Sequence, residues 1–229
     1  MPILIAIASL IVLAIVFGPQ WWVRHVLARH GTDRPDLPGT GAELARHLLD
    51  EAGLHKVTVE ETDLGDHYDP EALAVRLLPQ HHGGRSIAAA AVAAHEVSHA
   101  VQHARGEAAF ARRYSLVKNV HWIMRIASAV LILAPIVFAF VHVPILFVLQ
   151  IAAGLLLMAI SVAVHVVTLP VEFDASFGKA LPALARGRYL SVGDLPAARK
   201  VLTAAAFTYV AAALATLLDI LRWFRLLRF

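Results

Sequence analysis

The residues best equipped for chemistry are His95, Glu96 and His99, within the run Ile87 to His103, IAAAAVAAHEVSHAVQH. On an α-helix, positions i and i+4 stand one turn apart on one face, so His95 and His99 can offer two imidazole nitrogens to one metal ion. This is the HExxH spacing of zinc sites. Glu96, next along the helix, can take the proton of a metal-bound water as a general base.

A catalytic zinc takes three protein ligands and keeps a fourth position for water. The sequence has no cysteine, so a third ligand must be His or carboxylate. The cluster Leu169-Pro170-Val171-Glu172-Phe173-Asp174-Ala175-Ser176 offers one. Pro170 suits the first turn of a new helix, which would put Glu172 and Ser176 one turn apart on one face. Glu172 is then the candidate third ligand, and Ser176 is placed to orient a ligand by hydrogen bonding. A second explanation is equally open: Glu172 and Asp174 also favour a helix N-terminus, where negative charge gains about 0.3–1 kcal/mol. His81 and His82, on a Gly-rich loop, read as solvated. His165 reads as a histidine bonded to a neighbour. Tyr68, Tyr114 and His103 are available to stabilise an oxyanion, with nothing to choose among them.

These groups need elements to hold them. Ser86 is a candidate N-cap for the metal helix and Gly106 its stop, and the all-apolar start Ile87 to Ala94 implies burial. Upstream, Gly31 to Gly41 reads as a linker. Ala42 to Ala52 reads as a short amphipathic helix with Leu44, Leu48 and Leu49 on one side, stopped by Gly53. Val57 to Glu60 alternates like a strand, His67-Tyr68-Asp69-Pro70 is turn chemistry, and Ala72 to Leu78 suits a second strand. A small antiparallel hairpin or three-stranded sheet results, whose edge can bind an extended peptide.

The rest of the chain is strongly apolar. Of its 229 residues 59% are hydrophobic, and the mean hydropathy is +0.66, which points to an integral membrane protein. Apolar runs at Pro2 to Val23, Trp122 to Val141, Ile145 to Leu169 and Leu195 to Leu221 predict about four transmembrane helices, the last partly interfacial. The net charge of +3 is explained by loops beside anionic lipid, and no pattern for nucleic acid is present. The eleven Lys and Arg between residues 24 and 118 place that segment on the cytoplasmic side. Arg222, Arg225 and Arg228 then conflict with that rule.

At this point GRSIAAAAVAAHEVSHAVQH, the upstream DHYDP, EFDAS and AARKVLTAAAFTYVAAAL together resemble the YugP-type neutral zinc metallopeptidases of bacterial membranes, over most of the chain. The resemblance implies a gluzincin-like peptidase with His95, His99 and Glu172 as ligands and Glu96 as base. Two departures stand out. Ser98 occupies a position where the family usually has Gly, and Leu78 to Gly84 is unusual in its Pro and paired His.

The expected fold is therefore a mainly α membrane protein with about four transmembrane helices and a small α+β zincin-like segment carrying a short antiparallel sheet. Its parts are an anchor at 1–23, a catalytic segment at 24–118, a hairpin at 119–169, the third-ligand helix at 170–194 and a terminal helix at 195–229. The expected function is a membrane-bound zinc endopeptidase with one Zn2+ per chain, acting on peptides or membrane proteins at the bacterial cytoplasmic membrane. The rival is a membrane scaffold or chaperone partner holding a non-catalytic zinc.

Overall fold

A computed structural model describes residues 2–120, 144–208 and 210. The chain divides into two compact units, one of residues 1–17, 112–168 and 209–229, the other of 18–111 and 169–208. The first contains most of α1 (Pro2–His30) up to Phe17, the second half of α5 (residues 108–120), and α6 (Pro144–Phe173) as far as Thr168.

The second unit carries the candidate chemistry. Helix α2 (Gly41–Glu51) opens with a full capping box: Thr40 Oγ1 accepts from the Glu43 amide at 3.2 Å and Glu43 Oε2 accepts from the Thr40 amide at 2.8 Å. Ala45, Leu48 and Leu49 are buried, and Gly53 ends the turn at φ +72°. Gly41 sits where a Cβ would lie 2.1 Å from the His81 carbonyl oxygen, so any side chain would push α2 away from the backbone it packs against.

Strands β1 (Thr58–Glu61), β2 (His67–Asp69) and β3 (Ala74–Leu77) form a sheet in the order β1-β3-β2. β1 runs parallel to β3, Thr58 facing Ala74, and β2 runs antiparallel to it, His67 facing Arg76. The wholly antiparallel expectation is thus corrected. His67 to Asp69, read as a turn, is an edge strand. The turn is the next four residues, built by Asp69 Oδ1 accepting from the Glu71 and Ala72 amides at 2.9 and 3.1 Å. Arg76 ties the three strands together, reaching Glu60 on β1 at 3.0 Å and Asp69 on β2 at 2.6 Å.

Short α3 (Pro79–His82) leads into α4 (Ile87–Ala104), which is buried over nearly its whole length. Ser86 caps it, accepting from the Ala89 amide at 3.0 Å. Its alanines leave room for α2, α3, the sheet and the segment after α6 to approach on all sides. That segment is a π-helix, Asp174–Ala180, followed by α7 (Leu181–Arg186) and α8 (residues 195–208).

The expectation of about four transmembrane helices is overturned: among the described residues no helix is long and apolar enough to cross a membrane. The apolar run of α1 meets Gly18, Pro19 and Gln20 and ends on Arg29 and His30. That of α6 closes on Val171 and Glu172, which are buried within the protein. The predicted last span begins as α8, whose Ala198, Val201, Leu202, Ala204 and Ala206 are buried as core. Hydropathy counts core and lipid-facing residues alike, so it overstated the spans. The predicted span Trp122 to Val141 and the end of the last one lie outside the described residues.

Candidate metal centre

One helix supplies two of the candidate ligands and a distant segment the third. His95 and His99 project from the same face of α4, and the end of α6 brings Glu172 to meet them. The three are 5%, 5% and 1% exposed. Their facing atoms form a triangle: His95 Nε2 to Glu172 Oε2 3.1 Å, His95 Nε2 to His99 Nε2 3.2 Å, and His99 Nε2 to Glu172 Oε2 3.5 Å. Ligands at zinc-like bond lengths in a tetrahedron stand about 3.3 Å apart, so the triangle has the size of one tetrahedral face.

The other ring nitrogens decide which atoms carry protons. Gln102, 1% exposed, donates through Nε2 to the Val171 carbonyl at 3.0 Å and to Asp174 Oδ2 at 2.7 Å. Its Oε1 is thereby turned to His99 Nδ1 at 2.9 Å, and an amide oxygen can only accept. His99 must hold its proton on Nδ1. Ser176, fully buried, donates to the Leu202 carbonyl at 3.4 Å and so accepts from His95 Nδ1 at 3.1 Å. Both Nε2 atoms are left as lone pairs aimed at a carboxylate oxygen. Three lone pairs at such distances repel, and a cation between them satisfies all three edges at once. The residues present therefore fit a divalent metal, and nitrogen–nitrogen–oxygen donors suit zinc.

Two positions differ from expectation. Pro170 starts no new helix: α6 runs through it to Phe173 and continues directly as the π-helix. A single widened turn of this kind is a recurrent feature of functional sites, and here it keeps Glu172 and Ser176 on the inward face. His81, read as solvated, is 6% exposed, with Nδ1 2.8 Å from Asp66 Oδ2. Asp66 also accepts from the Leu78 amide at 2.8 Å, so His81 serves the seam between sheet and α3.

Glu96 is 7% exposed, and its carboxylate makes no hydrogen bond or ion pair among the described residues. Ser98 donates to the Ala94 carbonyl at 2.7 Å, one turn back, and the helix is uninterrupted there. Tyr68 Oη lies 2.9 Å from His103 Nδ1, and Phe110 contacts the rings of His99, His103 and Tyr68. Burial, then the charge of Asp69, push the Tyr68 phenol up to about 12, so it keeps its proton at neutral pH. Tyr114 and His165 belong to the other unit, and neither joins the His95, His99 and Glu172 group.

Sequence reasoning missed the parts played by Gln102 and Lys179, and named Asp174 only as a charge that favours a helix N-terminus. Lys179 ion-pairs with Asp174 and with Glu107 at 3.0 Å. Burial raises the Asp174 carboxyl, but hydrogen bonds from Lys179 and Gln102 outweigh it and hold the group below the usual carboxylate range. The available signal was Gln102 itself, a polar residue three positions after His99 on a helix whose all-apolar start implies burial.

Fold and site together define a helix-borne His, His, Glu centre beside a small sheet. The chain belongs to the family described as "Putative neutral zinc metallopeptidase", which it matches over residues 4–228. It is 35% identical over 213 residues to the "Putative membrane protease YugP" of Bacillus subtilis (strain 168), covering 92% of this chain and 91% of that one. No solved structure matches it.

Proposed function

We propose that the chain is a zinc-dependent endopeptidase in which His95, His99 and Glu172 hold one Zn2+ and Glu96 is the general base. The observation that carries this reading is the buried triangle of Nε2, Nε2 and Oε2, with both outer nitrogens fixed by Gln102 and Ser176. A zinc ion held by His95, His99 and Glu172 would supply Lewis-acid chemistry, activating water near neutral pH and polarising a peptide carbonyl. The Glu96 carboxylate, which has no hydrogen-bond or ion-pair partner among the described residues, accepts the water's proton and returns it to the leaving amine. The protonated Tyr68, backed by His103, donates to the developing oxyanion. β2 is the edge strand that packs against α4, and it binds the substrate in extended form through main-chain hydrogen bonds.

The setting is a membrane. Support comes from the relative's name and from exposed apolar side chains on α1 and α6, among them Phe17, Trp21, Ile145, Val148 and Leu156. We assign the protein to the bacterial cytoplasmic membrane, with the site on the cytoplasmic side, on the strength of the Lys and Arg between residues 24 and 118. Its substrates are peptides or membrane proteins.

Zinc content per chain, measured by elemental mass spectrometry alongside a peptide-cleavage assay, tests this. Wild type should hold one zinc, and Glu96→Gln should keep the metal while cleavage falls by about 10²–10⁴-fold. Zinc-free wild type under zinc-replete conditions, or undiminished cleavage by Glu96→Gln, would defeat the reading.

A further inference from the structure

A second cavity lies on another face of the same helix. Ala94, Val97 and Val101 form part of its floor, a stripe about two-fifths of a turn round α4 from His95 and His99. It measures about 420 Å³ and carries three cationic side chains, Arg105, Lys179 and Arg186, against one acid, Glu51. All of its lining belongs to the second unit.

The charges do not cancel. Glu51 is engaged elsewhere, 3.5 Å from His47 Nε2 and hydrogen-bonded with Tyr189. Lys179 is balanced by Asp174 and Glu107. The side chains of Arg105 and Arg186 make no ion pair or hydrogen bond among the described residues. Arg105 and Arg186 are both exposed and so open to a ligand from solvent, and like charges gathered on one concave wall add their fields. Two unpaired guanidiniums match a dianion with several acceptor oxygens better than a monoanionic carboxylate, because each can donate two parallel hydrogen bonds.

We propose that this cavity binds a phosphate group between Arg105 and Arg186, and that its occupancy is felt at the metal centre through Lys179, Asp174, Gln102 and His99. The link is continuous. Lys179 lines the cavity and pairs with Asp174, Asp174 accepts from Gln102 at 2.7 Å, and Gln102 fixes the His99 proton at 2.9 Å. A phosphate that draws Lys179 towards it weakens the hold on Asp174 and loosens the amide that orients His99. This second half rests on the reading of His99 as a ligand. The first half does not.

The test uses metal-free full-length protein and two probes. In calorimetry with inorganic phosphate, wild type should show saturable binding, weakened about tenfold for each guanidinium removed in Arg105→Gln and Arg186→Gln. In flotation, phosphatidylcholine vesicles with and without phosphatidic acid, whose headgroup is a phosphomonoester, distinguish the source. Binding that needs phosphatidic acid, is competed by phosphate and is lost in the double variant assigns a lipid headgroup. Phosphate binding without it assigns a soluble phosphate. No saturable phosphate binding together with no variant-sensitive vesicle binding overturns the site, as does phosphate binding that the double variant retains. The relay is read by ¹⁵N imidazole NMR of His99 in the same metal-free wild type. Its Nδ1 signal should move as phosphate saturates, and a signal that stays fixed refutes the coupling. Failure to take up zinc would remove the metal reading yet leave the phosphate result intact.

Discussion

Replacing Gln102 by leucine removes one side chain of similar size and, with it, three hydrogen bonds inside the protein. The His99 Nδ1 proton, the Val171 carbonyl and the Asp174 carboxylate each lose a partner at a position 1% exposed. Two neutral bonds at about 1 kcal/mol and one to a carboxylate at about 1.5–3 kcal/mol give a loss of about 3–5 kcal/mol. For a chain of this length that is a fall in melting temperature of roughly 10 °C. Freed from the amide, His99 can protonate on either nitrogen, and zinc affinity should drop by about 10–100-fold. Gln102→Glu separates the two effects. Its carboxylate still accepts from His99 Nδ1, so zinc affinity should stay within a few-fold of wild type. It cannot donate to Val171 and repels Asp174, so stability should fall as in the leucine variant. The assays are calorimetric melting and competition with a zinc chelator. If Gln102→Leu melts as low as expected yet binds zinc as tightly as wild type, the argument for the His99 proton is wrong.

Three further outcomes follow from other parts of the molecule. Glu172→Ala should abolish stoichiometric zinc binding while far-UV circular dichroism is unchanged, since it leaves the α4 imidazoles in place; full zinc content in a chelator assay would contradict this. Gly41→Ala should lower the denaturant midpoint by an amount corresponding to about 1–3 kcal/mol, because its Cβ would meet the His81 carbonyl oxygen at 2.1 Å. The hydrogen bond from Arg34, then that from Ser191, hold the Asp194 carboxyl below the usual carboxylate range. Its folded pKa is depressed, so its stabilisation is present above the unfolded value and lost as pH falls through the folded one. Melting temperature should therefore drop more steeply from about pH 5 to pH 3 in wild type than in Asp194→Asn.

How much of this was legible depended on whether the signal was local. His95, Glu96 and His99 share one helix, so spacing alone placed them, and the caps at Ser86 and Thr40 obey rules that operate within four residues. Glu172 was visible only as an acid in a promising cluster, because its meeting with His95 spans 77 positions and nothing local records it. Gln102 was hidden by its neighbours: a polar side chain on a buried helix declares a partner without saying where that partner is. The strand at His67 to Asp69 was misread because Asp69 is a turn-former that acts on the residues after it. Apolar content misled most. Alanine and valine that fill the space between α4, α8 and their neighbours carry the same hydropathy as residues that face lipid.

The long interval between His95 and Glu172 also sets a clock on synthesis. At about 5–20 residues per second, a ribosome that has just added His95 needs several seconds to reach Glu172, and more again to supply Leu202, whose carbonyl holds Ser176 against His95. Until then the growing polypeptide has the HExxH helix but no third ligand and no anchor for the first. On the proposed reading as a peptidase, a chain assembled in this order has no complete centre with which to cut its own nascent chain, or those emerging beside it.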